Sequence, residues 1–134
     1  EIYTLSLHDA LPIFGRLLGV MREAMGHQRF KTYFTSFEWP WYMPEVEEYA
    51  GLARSIGFER VTVWSENADR YFRDRETMVR WIDQPSIVPF LHPLPQSRKT
   101  EFRDFVVNRM IEKTLQADGT CFETFRRINL RATK

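Results

Sequence analysis

Residues 75–95, with the sequence RETMVRWIDQPSIVPFLHPLP, constrain the fold more than any other segment. The first part has helical spacing, with Asp74 as the predicted N-cap and with Met78, Trp81 and Ile82 on one face. The second part alternates prolines with large apolar side chains, namely Pro85, Pro89, Pro93 and Pro95 with Ile87, Val88, Phe90, Leu91 and Leu94. Because proline fixes φ and lacks a backbone donor, a helix cannot run through this part. We therefore expect a loop that wraps over a cavity or against a core.

The composition bounds the class of protein. The chain has 134 residues, of which 43% are hydrophobic, and this suits one folded domain or part of one. A net charge of +1 argues against a dedicated nucleic-acid binder, whose surface would be strongly basic. No apolar run approaches the roughly 20 residues that span a bilayer, so no membrane partner is expected. Cys121 is the single cysteine, which excludes a disulfide framework, and a soluble cytoplasmic protein is the default expectation.

Periodicity along the chain predicts alternating helices and strands. Helices are predicted at residues 16–30, 44–56 and 98–115, and strands in the β-rich first half of residues 60–72 and in the terminal residues 121–134, where the alternation is imperfect. The second helix should begin at Pro44, whose missing N–H costs nothing there, and should bury Ile56 on its apolar face. Gly57 then ends it. The chain is therefore predicted to be an α/β protein.

An aromatic loop follows the first predicted helix. Residues 31–43, KTYFTSFEWPWYM, include Tyr33, Phe34, Phe37, Trp39, Trp41 and Tyr42. Such a loop can line a small-molecule pocket, because pockets are mostly apolar with a few polar groups. The alternative is that these rings pack under the helix that follows.

A second ambiguous place is the junction between the short helix and the proline-rich loop. Trp81, Asp83 and Gln84 stand there, and an indole, a carboxylate and an amide together could read a polar substrate. The alternative is a core tryptophan with solvated neighbours. Arg126 and Arg127 lie in the last predicted strand, and an arginine on a covered face needs an anionic partner, either a carboxylate of the fold or a ligand.

The search for a self-contained active site gives no catalytic, cofactor-binding or metal-binding residue. His8, His27 and His92 do not have metal-ligand spacing, and Cys121 is expected to be a buried structural cysteine. The six glycines never fall two apart, so a Gly-x-Gly-x-x-Gly turn is absent, as are the phosphate-binding loop and the Gly-x-Ser-x-Gly elbow.

From residue 16 to residue 134 the chain resembles the C-terminal half of S-adenosylmethionine-dependent methyltransferases of the seven-stranded Rossmann-like class, especially the trans-aconitate methyltransferase group. The resemblance is carried by PWYMPEVEEYAGLARSIGF, RVTVW and RETMVRWIDQPSIVPFLHPLP, and by a terminal F-x-R-I-x-L-x-A-x-K strand. One departure is the sequence DQPS, which stands where the family usually has a glycine after its W-[hydrophobic] pair.

The resemblance implies a partial Rossmann-like methyltransferase fold for residues 14–134, with antiparallel strands six and seven and a helical cap at about residues 74–116 between them. It implies S-adenosylmethionine as cofactor of the parent enzyme, with the donor site upstream of this chain, and a small-molecule carboxylate as the methyl acceptor. In such a reaction the acceptor oxygen attacks the methyl carbon directly and needs no general base. The candidate substrate-binding residues are Trp41, Tyr42, Trp81 and Phe90.

Residues 1–13, EIYTLSLHDALPI, resemble a translated sequencing-adaptor tail and are expected to be non-native, although the alternation in IYTLSL also allows an N-terminal strand. A methyltransferase fragment should leave one edge of its last strand bare, because the fifth-strand neighbour would be absent. The competing hypothesis is a non-enzymatic domain that binds a protein partner through its proline and aromatic surface.

Overall fold

The computed structural model of the protein describes residues 2–6, 15–42 and 44–134. The elements in chain order are strand β1 (Ile2–Ser6), helix α1 (Arg16–Gly26), a 3₁₀ helix (Lys31–Phe34), helix α2 (Val46–Ser55), strand β2 (Glu59–Phe72), helix α3 (Arg75–Asp83), the single turn α4 (Val88–Leu91), helix α5 (Gln96–Thr114) and strand β3 (Cys121–Thr133). The prediction of a mixed α/β protein is confirmed.

The described strands form one antiparallel sheet with the order β1-β3-β2. In the long β2–β3 pair, Trp64 lies opposite Asn129 and Phe72 lies opposite Cys121. The register shifts between Glu59 and Thr62, at a point where Arg60 has a positive φ of 46°. The resemblance implied a last strand antiparallel to its neighbours, and both pairings of β3 have that direction.

Strand β1 covers part of one edge of β3. Residues Ile2 to Ser6 pair antiparallel with Thr133 back to Asn129, so the expected bare edge is wrong for the last part of β3. The physical reason is the alternation of β1, which allows an extended strand to satisfy the N–H and C=O groups of that edge. The origin of residues 1–13 stays a prediction, since a strand can form whatever the source of its sequence.

The main core lies between α1, α3, α4 and α5. The 75–95 segment contributes several of its most buried side chains: Met78, Ile82, Ile87 and Phe90 are at most 1% exposed. The segment therefore packs against a core, as one of its two expected roles requires. The segment also contains the helical turn α4, which corrects the expectation of a loop alone, because Pro89 stands in the first turn, where its missing N–H is tolerated.

A smaller core lies between α2 and the sheet, around Ala53, Leu130 and Ala132. Helix α2 begins at Val46 after Glu45 as N-cap, two residues later than predicted. Ile56, predicted to be buried, is 65% exposed. It is the C-cap residue, with ψ of 11°, so it no longer follows the helical periodicity that would bury it. The following Gly57 has φ of 95°, as expected of a glycine that ends a helix.

Candidate functional site

A surface groove of about 620 Å³ runs between the aromatic loop and the proline-rich turn. Its apolar wall is formed by Tyr33, Phe37, Pro40, Val88, Pro89 and Pro93. The size falls within the range of roughly 300–1,000 Å³ that small-molecule sites occupy, and the mostly apolar lining is also typical of them. The two segments that the sequence marked as unusual therefore meet on opposite sides of one groove.

Aromatic packing beneath the groove fixes its shape. Phe90 is fully buried, and its ring centroid lies 5.2 Å from that of the groove residue Phe37. The same ring is 5.4 Å from Trp39 and 5.4 Å from Trp41. Phe37 also packs on Phe34 of the 3₁₀ helix, with centroids 5.3 Å apart. Because α4 turns one face inward, Phe90 anchors the core while Val88, 56% exposed, stands at the groove.

A few polar groups are placed around this apolar wall. Glu38 and His92 contribute a carboxylate and an imidazole to the lining. Arg98, near the start of α5, donates to Glu101 at 2.6 Å. The bond to Glu101, with a smaller part from Tyr33, raises the pKa of the Arg98 guanidinium above its usual value. The groove thus combines an apolar body with groups able to orient a polar ligand.

The predicted site residues fall in different places. Trp41 and Phe90 contact one another beneath the groove, and Phe90 is wholly inside the core. Tyr42 is 65% exposed and its hydroxyl donates to Glu48 at 2.8 Å, a bond that raises the pKa of the phenol. These positions let Trp41 and Phe90 support the groove from below, while Tyr42 faces solvent. Whether any of them contacts a substrate stays a prediction.

Trp81 lies in a separate aromatic group. Its ring packs on Phe72 at the end of β2, with centroids 5.1 Å apart, and the Arg70 guanidinium lies over both rings. The neighbouring Asp83 accepts two hydrogen bonds from Arg103, at 2.8 and 2.7 Å. That carboxylate is therefore held by α5. Whether the junction at the end of α3 also contacts a substrate stays a prediction.

Arg126 and Arg127 of the last strand have hydrogen-bond partners on β2. Arg127 donates to Glu66 at 2.5 Å, in agreement with the expectation of a carboxylate of the fold as its partner. Arg126 donates to Asn67 and Ser65 on β2. Cys121 is fully buried at the first residue of β3, as expected of a structural cysteine.

Glu123 is a buried carboxyl group that no sequence pattern had identified as a candidate. Its side chain is fully buried on β3, and its two oxygens accept from the backbone N–H groups of Arg16 and Leu17, each at 3.0 Å. Burial raises the pKa of the carboxyl, and the bonds from Arg16, Leu17 and Thr124 offset this only in part. Gly15 could have indicated such a group. A glycine N-cap supplies no side-chain acceptor to the first turn of α1, so the acceptor must come from elsewhere.

Within the described ranges, no cluster of three or more His, Cys, Asp or Glu side chains has the arrangement to hold a metal ion. In the same part of the chain, the helices fall short of the length and apolarity that crossing a membrane requires. Comparison with protein-family models yields no match, and comparison with curated protein sequences yields no significant relative.

Proposed function

We propose that this chain is the acceptor-binding part of an S-adenosylmethionine-dependent methyltransferase that O-methylates a small-molecule carboxylate. The observation that carries the proposal is the groove between the aromatic loop and the proline-rich turn. Its proline-rich side and Pro40 lie in the segments that carry the resemblance to methyltransferases, and its volume of about 620 Å³ suits a metabolite-sized ligand.

The order of the elements supports the same reading. A helix and a strand, α2 and β2, are followed by the helical segment α3–α5 and then by β3, which returns antiparallel beside β2. This is the order implied for strand six, a helical cap and strand seven of a Rossmann-like methyltransferase. The finer assignment of these strands, and a cytoplasmic location for the parent enzyme, remain parts of the proposal.

The described residues do not fit the methyl donor. A dinucleotide-type donor site needs a glycine-rich turn that follows a strand and opens a helix. The two described glycines with positive φ are Gly57, which precedes β2, and Gly119, which joins α5 to β3. Neither has that position, so no residue of this chain is assigned to S-adenosylmethionine and no reaction step is derived through it.

The part of catalysis that these residues can supply is binding, orientation and exclusion of water. Phe37, Pro40 and Pro89 form a wall without hydrogen-bonding side chains, so water along it is easily displaced by an apolar ligand. Glu38, His92 and Tyr33 can orient the polar parts of the acceptor. Correct orientation alone can contribute about 7–11 kcal/mol to a bimolecular reaction.

The test is transfer of a labelled methyl group from S-adenosylmethionine to a panel of small carboxylic acids. Transfer should be absent with this chain alone and present with the polypeptide obtained when the reading frame is extended upstream of Phe14. Phe37→Ala in the longer protein should raise the KM for the acceptor, whereas Tyr71→Ala, on the surface of β2, should leave it unchanged. An extended protein that lacks a glycine-rich turn, or that methylates none of the panel, would overturn the proposal.

A second candidate is a domain that binds a protein partner through the same groove. Its supporting observation is the exposed apolar rim, where Val88 is 56% and Tyr33 is 37% exposed. Exposed apolar side chains beside a groove are typical of peptide-binding surfaces as well as of small-molecule sites. Titration of small carboxylic acids separates the two, since only the first candidate expects saturable binding that shifts the amide signals of the groove residues.

A further inference from the structure

The indole N–H of Trp39 is a buried donor without an acceptor. The ring is held at right angles to Trp41, with centroids 5.6 Å apart, and packs edge-on against Phe90. Its Nε1 is shielded from solvent and has no hydrogen-bond partner among the residues that the structure describes. Buried polar groups are nearly always hydrogen-bonded, and one without a partner commonly marks a bound water, ion or ligand. We therefore expect the Trp39 Nε1–H to donate to an acceptor from outside the described residues.

Arg22 lies over the same ring. Its guanidinium carbon lies over the Trp39 ring, 5.0 Å from the centroid, in a cation–π contact, and the Arg22 residue is exposed. Arg98, Arg103, Arg109 and Arg127 each have a carboxylate within ion-pair distance. Across residues 2–6, 15–42 and 44–134, no carboxylate is found at that distance from Arg22. The Trp39 ring thus has the Arg22 guanidinium over its face and an indole N–H without an acceptor.

We propose that Trp39 and Arg22 form a binding subsite for a carboxylate. One carboxylate oxygen accepts the hydrogen bond of the Trp39 Nε1–H, and the negative charge is paired with the Arg22 guanidinium. Both side chains are donors without any acceptor, so the missing partner must be an acceptor. The fixed positive charge of Arg22 favours an anion over a neutral oxygen, and a guanidinium suits the planar, two-oxygen shape of a carboxylate.

The subsite is one ring away from the groove. Phe90 touches Trp39 on one side and the groove residue Phe37 on the other, so a ligand bound at Trp39 lies next to the wall that closes the groove from below. The inference deepens the proposed function, on which it rests for the role of the bound carboxylate as methyl acceptor. Binding itself does not depend on methyl transfer, so the two can fail separately.

The experiment is an NMR titration of the full chain, labelled with ¹⁵N at tryptophan. The protein has four tryptophans, so four indole signals are expected, and Trp39→Phe identifies the one from Trp39. Addition of acetate, propionate or succinate should move that signal downfield in a saturable way, because the proton gains an acceptor. Sodium chloride at equal ionic strength is the control and should move it little.

Variants at the arginine decide the second half of the proposal. Arg22→Gln removes the charge and should weaken carboxylate binding about tenfold or more, as expected for loss of a charge-assisted hydrogen bond. Arg22→Lys keeps the charge and should retain part of the affinity, which guards against a variant that is merely misfolded. Arg29→Gln, which removes an exposed arginine just beyond α1, is the matched control and should bind as the wild type does.

Three results would overturn the subsite: an indole signal that no carboxylate moves, an equal response to chloride, or unchanged affinity in Arg22→Gln. If carboxylates bind as expected but the extended protein transfers no methyl group, the subsite stands and the proposed function fails. If methyl transfer occurs while Arg22→Gln binds normally, the proposed function stands and the subsite fails.

Discussion

The Arg103 guanidinium on α5 holds the Asp83 carboxylate at the last residue of α3 through two hydrogen bonds, of 2.8 and 2.7 Å. Asp83 is the point at which the helix gives way to the proline-rich segment. The pair therefore fixes where that segment leaves α3 and turns across α5. It joins two residues that are 20 positions apart in sequence.

This pair gives a pH-dependent contribution to stability. The bonds from Arg103 hold the pKa of the Asp83 carboxyl below its usual range. Because the folded-state pKa is depressed, the contribution is present above the unfolded pKa of about 3.9 and is lost as the pH falls through the folded value. Asp83→Asn should lower the free energy of unfolding at pH 7 by about 0.5–1 kcal/mol, since both side chains are partly exposed. Urea denaturation at pH 7 and pH 2.5 measures this, and the two proteins should differ little at the lower pH.

Phe90→Ala should be the most damaging change in the groove region. The side chain is fully buried and contacts three other aromatic rings, so truncation should cost about 3–5 kcal/mol of unfolding free energy. The neighbouring Val88→Ala is the control, because an exposed side chain should change stability by less than about 0.5 kcal/mol. Equal effects of the two changes in denaturant titrations would contradict the burial described here.

Replacement of Glu123 should reveal the raised pKa of its carboxyl. A raised folded-state value means that the contribution to stability is fully present below the unfolded pKa, about 4.3, and is lost as the pH rises through the folded value. Glu123→Gln should remove this dependence, so the difference in unfolding free energy between variant and wild type should shift in favour of the variant from pH 4 to pH 8.

Removal of the acceptor altogether should have a different result. Glu123→Ala leaves the N–H groups of Arg16 and Leu17 without their partner in a buried position, which should cost about 1–3 kcal/mol at pH 4 and less as the pH rises. Hydrogen exchange at the two amides provides the local measurement. Unchanged protection there would show that the carboxylate does not hold the first turn of α1.

Gly51, inside α2, and Gly57, just after it, should respond in opposite ways to replacement by alanine. Gly57 has φ of 95°, a region that side chains with Cβ rarely adopt, so Gly57→Ala should destabilise the protein by about 1 kcal/mol. Gly51 lies inside α2, and a Cβ there would meet nothing within 4 Å, so Gly51→Ala should stabilise it by about 0.5–1 kcal/mol. Thermal unfolding of both variants gives the two signs directly.

Local chemistry was readable from the sequence. Asp74 accepts from the Thr77 N–H at 2.7 Å and begins α3 where the sequence placed the cap, because capping involves neighbours only three positions apart. The stop at Gly57 was predictable for the same reason. The last residue of α2 was not predictable from the sequence, because Ile56 fits the helical spacing but lies beyond the last helical turn.

Long-range placement was not readable. Whether Phe90 covered a cavity or a core depended on Phe37, Trp39 and Trp41, which come from a loop without periodicity. The cation–π contact of Arg22 with Trp39 likewise depends on where that loop meets α1. Such contacts are set by the packing of whole elements, which no local pattern encodes. The groove therefore emerged only when the aromatic loop and the proline-rich turn were seen side by side.

The cap that Glu123 provides to α1 has a consequence for the time course of folding. The acceptor lies 107 positions after the Arg16 N–H that it satisfies, so it leaves the ribosome long after α1 does. Until then the first turn of the helix lacks the Glu123 acceptor. An isolated helix of 11 residues is marginal in water. Contacts between distant parts of a chain slow folding, because the intervening loop must close first. Helix α1 should thus become stable only once β3 has been synthesised and has packed beside it.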